Sequence, residues 1–131
     1  MNIGIASKKS KLPAKTIRYY EDIDLIKPAR AENGYRDYSK EDIHALTFLQ
    51  RSRNLGFSIE ECRLLLSLYN DKNRSSSEVK SLALNKVAKI EQKIEELSAM
   101  RTMLTRLARD CHGDNRPDCP ILDEIAGKKT D

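Results

Sequence analysis

Tryptophan is absent from this 131-residue sequence, and five tyrosines and two phenylalanines are its only aromatic residues. All seven fall before residue 70, so the last 61 residues contain none. Aromatic side chains bury large apolar areas and normally anchor a compact core. Their absence excludes a second globule of ordinary size in the C-terminal half and predicts an elongated element there. No run approaches the roughly 18 consecutive apolar residues of a membrane-spanning helix. With 34% charged residues, 39% hydrophobic and a mean hydropathy of −0.64, the chain reads as soluble, with no membrane partner. Residues 1–9 lack the basic-then-apolar order of a secretory signal, which points to the cytoplasm. No catalytic base is paired to a nucleophile, which argues against an enzyme.

What is present is unevenly distributed. The net charge is +4, and Lys plus Arg exceed Asp plus Glu by 12 to 9 in residues 1–70 but only by 12 to 11 beyond. The positive excess therefore sits with the aromatics, a tilt toward an anionic partner such as nucleic acid. Ile3, Ile5 and Ala6 begin a short helix that ends in the turn Ser10-Lys11-Leu12. Pro13 suits the first position of a second helix, where its missing N–H is harmless. That helix carries Ile17, Tyr20 and the nearby Ile23 inward, and Lys15, Arg18 and Tyr19 share the outward face at i, i+3, i+4. Asp24 suits a left-handed closing position. Asn33-Gly34, between Lys27-Pro28 and Tyr35-Arg36, signals a small two-stranded wing. Ser39 with Asp42, and Ser58 with Glu61, are capping boxes opening a third and a fourth helix. Ile43, Leu46, Leu49 and Gln50 mark the face boundary of the third, Gly56 ends it, and Leu64, Leu65 and Leu68 supply the apolar face of the fourth. Cys62 reads as a small packing residue.

A short helix, a turn, a second helix with a basic face and then a wing describe a winged helix-turn-helix. In such a module the second helix enters the DNA major groove, where Arg can pair with guanine and Lys can contact phosphate. Lys15, Arg18 and Tyr19 on the helix, and Arg30, Tyr35 and Arg36 at the wing, are the candidate contacts, with Arg53 placed in the same set. An ordinary solvated face is the competing reading, weakened by the convergence of several cations and tyrosines.

After the polar break at residues 71–77, Val87, Ile90, Ile94, Leu97, Arg101, Leu104 and Ala108 follow a strict 3,4 alternation. No Gly or Pro interrupts residues 75–112, so this is a heptad seam on a helix roughly 50 Å long. A lone helix cannot bury its own stripe, and the chain offers too little other apolar surface to cover it. A partner helix is expected.

The segment Cys111-His112-Gly113-Asp114-Asn115-Arg116-Pro117-Asp118-Cys119 can bring two thiols together in a tight loop. Two thiolates without further soft donors suit copper(I), which accepts linear sulfur coordination, whereas zinc usually takes four ligands. His112 with Asp114 or Asp118 would instead favour a divalent ion. A permanent disulfide is disfavoured in the cytoplasm, and a reactive redox pair near Arg109 and Arg116 is the other alternative.

Thr16-Ile17-Arg18-Tyr19-Tyr20-Glu21, Glu32-Asn33-Gly34-Tyr35-Arg36, Leu55-Gly56-Phe57, Ile94-Glu95-Glu96-Leu97 and Cys111-x7-Cys119-Pro120-Ile121 together resemble the MerR family of transcriptional regulators, within it the copper-efflux branch. The resemblance covers almost the whole chain. It implies an all-α fold with a small β wing, a DNA-binding domain over residues 1–70, a linker and dimerisation helix over 71–109, and a metal loop, short helix and tail over 110–131. It implies a homodimer joined by antiparallel long helices, bound to a palindromic operator in double-stranded promoter DNA and reaching RNA polymerase only through that promoter. Metal binding would distort a promoter with an overlong spacer, so that efflux and detoxification genes are activated. Ser76 would help choose metal valence from the partner subunit, since serine there accompanies monovalent ions. Cu(I), with Ag(I) or Au(I) as further inducers, is the expected signal. A thiol redox sensor, a metal-storage protein and a divalent-metal regulator are the alternatives, and storage leaves the basic winged module unexplained. Lys11 and Asp24 stand where the family commonly has glycine, and Pro13 replaces the usual hydroxyl cap. The tail, residues 127–131, reads as disordered and adds no cysteine.

Overall fold

The computed structural model describes residues 1–127; of the tail expected to be disordered, residues 128–131 lie outside the described residues. Six helices and one two-stranded sheet are present among the described residues, and the chain divides into two compact units, Met1–Ala83 and Leu84–Asp131. The boundary falls inside the long helix.

Local rules account for most of the first unit. Helix α1 (Ile3–Ser10) opens on Asn2, whose side chain accepts from the Ile5 N–H at 2.9 Å, and ends at Lys11 in the left-handed region (φ 62°, ψ 27°). Helix α2 (Ala14–Asp22) follows directly. Pro13 is its cap and not its first residue: with ψ 145° it stays outside the helix, while its carbonyl accepts the first helical bond from Ile17 at 3.1 Å. After α2, Asp24 adopts φ 59°. Lys11 and Asp24 are the only described non-glycine residues with positive φ. The turns are kept although each Cβ costs of order 1–2 kcal/mol in that conformation.

Strands β1 (Ala29–Arg30) and β2 (Arg36–Asp37) pair antiparallel, Ala29 opposite Asp37 and Arg30 opposite Arg36. The connection is not the mirror-image two-residue turn that Asn-Gly favours. The Gly34 N–H bonds the Ala31 carbonyl at 2.9 Å, the Ala31 N–H bonds the Tyr35 carbonyl at 2.7 Å, and only Gly34 (φ 84°) has positive φ. This is a three-residue loop closed by a glycine bulge, and the Asn33 side chain accepts from the Tyr35 N–H at 3.1 Å.

Helices α3 (Lys40–Asn54) and α4 (Ile59–Asn70) both carry complete capping boxes, Ser39 with Asp42 and Ser58 with Glu61. The core joins Ala6, Ile17, Tyr20, Tyr38, Leu46, Leu49 and a fully buried Cys62. On α4 the buried face is Cys62 with the partly buried Ile59 and Leu66, so the expected face of Leu64, Leu65 and Leu68 is corrected. Leu64 is 45% exposed, and it lines a shallow groove with Leu68 and Leu82. The reason is helical geometry: residues at i, i+3 and i+7 from Ile59 share the stripe that meets the core, and Leu64 lies off it.

Helix α5 (Ser76–Asp110) runs 35 residues without a buried side chain, and α6 (Pro120–Ile125) closes the described chain. No helix is long and apolar enough to cross a membrane among the described residues.

Candidate nucleic-acid interface and cysteine loop

Burial divides α2 cleanly. Ile17 and Tyr20 are in the core, so Lys15, Arg18 and Tyr19 are left outside and all three are exposed. Neither Lys15 nor Arg18 forms an ion pair with any described residue, so their donors remain available to an anion. A helix bearing two unengaged cations and a half-exposed tyrosine, joined through a turn to α1, is the arrangement that reads a DNA groove. Replacing Arg18 by Ala is expected to weaken binding to a preferred duplex by about 1–3 kcal/mol if Arg18 reads a base edge; fluorescence anisotropy measures it, and an unchanged affinity removes Arg18 from the interface.

The wing arginines are placed differently from the helix cations. The Arg36 Nε donates to Glu21 Oε2, and Arg30 Nη2 lies 3.7 Å from Glu21 Oε1. Arg30 also donates to the Gly34 carbonyl at 3.1 Å. Tyr35, at the wing tip, is 74% exposed. Arg53 donates to the Phe57 carbonyl at 2.7 Å, so it braces the loop between α3 and α4.

Three participants escape a reading of spacing alone. Glu21 gathers both wing arginines. Arg63 donates to the Ile23 carbonyl at 2.9 Å, tying α4 to the end of α2 across 40 residues. Tyr38, immediately after β2, is buried with a hydroxyl that has no hydrogen-bond partner. Burial pushes the Tyr38 phenol above its ordinary pKa, and the charge of Glu21 adds to this while Arg36 and Arg18 oppose it. Helix α2 and the wing thus both contribute charges around Tyr38. Only the cross-strand pairing of Arg30 with Arg36 hinted at a shared carboxylate, and that pairing requires the hairpin register.

In the second unit the α5 stripe is uncovered. Val87, Ile90, Ile94, Leu97 and Leu104 are 40% to 61% exposed, and Arg101 and Ala108 are exposed beside them. Cys111 directly follows α5, its N–H bonding the Leu107 and Ala108 carbonyls at 3.1 and 3.3 Å. Gly113 then turns the chain with φ 66°. Asp114 accepts from the Arg116 backbone N–H at 2.9 Å and from its Nε at 2.8 Å, so this carboxylate braces the loop. Cys119 caps α6, and its carbonyl accepts from the Asp123 N–H at 3.0 Å. Both thiols are partly exposed and neither is in a disulfide. Among the described residues no three or more His, Cys, Asp or Glu side chains gather as a metal site within the chain. Cys111 and Cys119 bracket the loop with two sulfur donors, which fit a soft ion content with few ligands.

Ser76 is the first residue of α5 and is exposed. The cap is its neighbour: Ser75 Oγ accepts from the Ser77 N–H at 3.1 Å and the Ser75 carbonyl from the Glu78 N–H at 3.3 Å. Ser76 is therefore not spent as a helix cap.

A groove of about 840 Å³ runs beside α3 and α4, walled largely by Phe48, Leu55, Phe57, Leu65 and Tyr69. Its hydroxyls are engaged by helix carbonyls, Thr47 with Ile43 at 2.9 Å and Ser52 with Phe48 at 2.8 Å, and His44 meets the Tyr69 hydroxyl at 3.0 Å.

Residues 1–68 match the family described as MerR HTH family regulatory protein, and residues 43–107 match the one described as MerR, DNA binding. The chain is 60% identical over 126 residues to the HTH-type transcriptional regulator HmrR of Rhizobium leguminosarum bv. viciae, covering 96% of this chain and 98% of that protein. It is 47% identical over 128 residues to the HTH-type transcriptional regulator CueR of Salmonella typhimurium, covering 97% and 93%. Among solved structures, the transcription regulator PbrR691 from Ralstonia metallidurans CH34 in complex with lead(II) aligns with TM-score 0.82 and 32% identity, over 95% of this chain and 98% of that one.

Proposed function

Because the chain belongs to the MerR family of metal-responsive transcriptional regulators, whose members bind promoter DNA as dimers, we propose that it is a cytoplasmic activator whose signal is copper(I). Its relatives are regulators and not enzymes. The observation that supports the metal assignment is the donor set: two free, partly exposed cysteines, Cys111 and Cys119, bracket one loop in which Asp114 is engaged by Arg116.

Cys111 and Cys119 would hold the ion as thiolates, and two soft sulfur donors suit a two-coordinate monovalent ion such as copper(I). Ser76, exposed and free of a capping role, would face the partner subunit's loop and add no thiolate. Silver(I) and gold(I) share this chemistry. On this reading residues 1–70 bind DNA, residues 71–109 form the linker and dimer helix, and residues 110–131 hold the metal loop, short helix and tail. Lys15, Arg18 and Tyr19 contact the groove, and Arg30, Tyr35, Arg36 and Arg53 support the grip on the flanking backbone. The stripe from Val87 to Ala108 covers itself against a second copy in an antiparallel pair. Both metal-free and metal-bound dimers hold the palindromic operator, so the loop acts by favouring one dimer shape over another; equal affinity for both would switch nothing. The DNA distortion that follows realigns the promoter for RNA polymerase, and the genes served are those of copper efflux and detoxification.

A divalent heavy-metal signal is the second reading, favoured by the likeness to the lead(II)-bound regulator. Anaerobic transcription with the purified protein, titrated in parallel with copper(I), silver(I), zinc and lead(II), separates the two. Activation by copper(I) and silver(I) at concentrations where zinc and lead(II) are silent is the expected result. Strong activation by zinc or lead(II) without copper(I) reverses the assignment, and activation by a thiol oxidant alone makes the loop a redox sensor.

A further inference from the structure

Glu21 is in an electrostatically unfavourable place for a DNA-binding protein. It lies in the last turn of α2, where the helix dipole is negative and disfavours an anion, and it belongs to the helix whose outward face would meet phosphates. Yet its side chain is only 17% exposed, and it faces two arginines at once: Arg36 from β2, by a hydrogen bond, and Arg30 from β1 at 3.7 Å. Those arginines are direct cross-strand partners. One carboxylate therefore ties both strands of the wing to the end of the recognition helix. Tyr38, buried at the root of β2, experiences the charges of Glu21, Arg36 and Arg18 together.

Backbone contacts set the register of a protein on a duplex, while base contacts carry the sequence information. If the wing moves freely against the helix, phosphate grip and base reading no longer occur in one register. We propose that Glu21 is a positioning residue for promoter recognition, holding the wing to the recognition helix through Arg30 and Arg36 so that operator specificity, and not DNA affinity as such, depends on it. The inference rests on the DNA-binding reading above.

Two effects of Glu21→Gln then run in opposite directions. Loss of the tie lowers affinity for the preferred sequence, whereas removal of a negative charge beside the phosphates raises non-specific affinity. The wild-type dimer is first used to select a preferred duplex from a random pool; the dissociation constants of wild type, E21Q and E21D are then measured on that duplex and on a scrambled one, beside thermal melting curves. For E21Q the ratio of specific to non-specific affinity is expected to fall about tenfold or more, with scrambled-duplex binding equal to or tighter than wild type and the melting temperature retained. Aspartate keeps the charge but is one methylene shorter, and with Arg30 already at 3.7 Å it cannot reach both arginines; a several-fold fall is expected. If E21Q melts below wild type, E21D decides.

An unchanged ratio overturns the proposal, as does a loss of both affinities in step with melting, which is a folding role, or an equal rise in both, which is a charge effect alone. Failure of the wild type to enrich any sequence removes the DNA-binding reading itself, a result distinct from any of these.

Discussion

Cys111→Ser is expected to abolish metal-dependent transcription entirely while leaving the metal-free protein's operator affinity within about twofold. A serine hydroxyl is a hard, protonated donor at neutral pH and does not replace a soft thiolate on a monovalent ion, and Cys119 alone supplies half of the donor set. Folding is not at risk, because Cys111 lies beyond the end of α5 and is partly exposed, outside the core that surrounds Ile17, Leu46 and Cys62. The companion change Cys119→Ser sharpens the test. Cys119 occupies the cap of α6 without a side-chain cap bond, and serine is among the preferred capping residues, so this substitution removes the sulfur while suiting the helix. Anaerobic transcription with copper(I), paired with electrophoretic mobility shift of the same preparations, reads the two properties separately. Loss of DNA binding in either variant would make the cysteines structural and end the sensor assignment.

Leu97→Glu is expected to convert the dimer to a monomer and to weaken binding to a two-half-site operator by about 100-fold or more, because the second half-site is then no longer delivered at high effective concentration. Leu97 sits at the centre of the seam and is 61% exposed within the chain. Its removal costs no packing inside one protomer, and glutamate is as good a helix former as leucine. In a paired seam the same carboxylate is buried in a largely apolar partner stripe whose one cation is Arg101, which costs several kcal/mol or forces separation. Sedimentation velocity measures the assembly state, and circular dichroism checks that α5 stays helical. A variant that remains dimeric at micromolar concentration places the interface elsewhere on the chain.

The parts legible in the sequence are those decided within a few residues. The boxes at Ser39–Asp42 and Ser58–Glu61, the left-handed Asp24, the inward Ile17 and Tyr20 and the uninterrupted 76–110 helix all follow from backbone conformational preference, capping bonds and the 3.6-residue period. The short wing was also legible, from a single Asn-Gly, although its turn was not: the choice between a mirror-image turn and a glycine bulge depends on how the strands at Ala29 and Asp37 meet. The face of α4 was misread for a similar reason. Four leucines and one cysteine on one helix admit more than one inward stripe, and the stripe buried is the one that carries Ile59, Cys62 and Leu66, on the helix that packs against α3.

What the sequence determined by itself, then, is a basic helix-turn-helix with a wing, a long unpartnered apolar seam and a two-cysteine loop, because each is written in neighbouring residues whose spacing is their function. What only the tertiary structure decided is how the charges are spent. Lys15 and Arg18 remain available, Arg53 braces a loop, and Arg30 and Arg36 converge on Glu21. A local pattern cannot show this, because Glu21 and Arg36 are 15 residues apart and meet only when the hairpin folds back over the end of the recognition helix. An ion pair depends on distance in space, which the chain acquires only when its core closes.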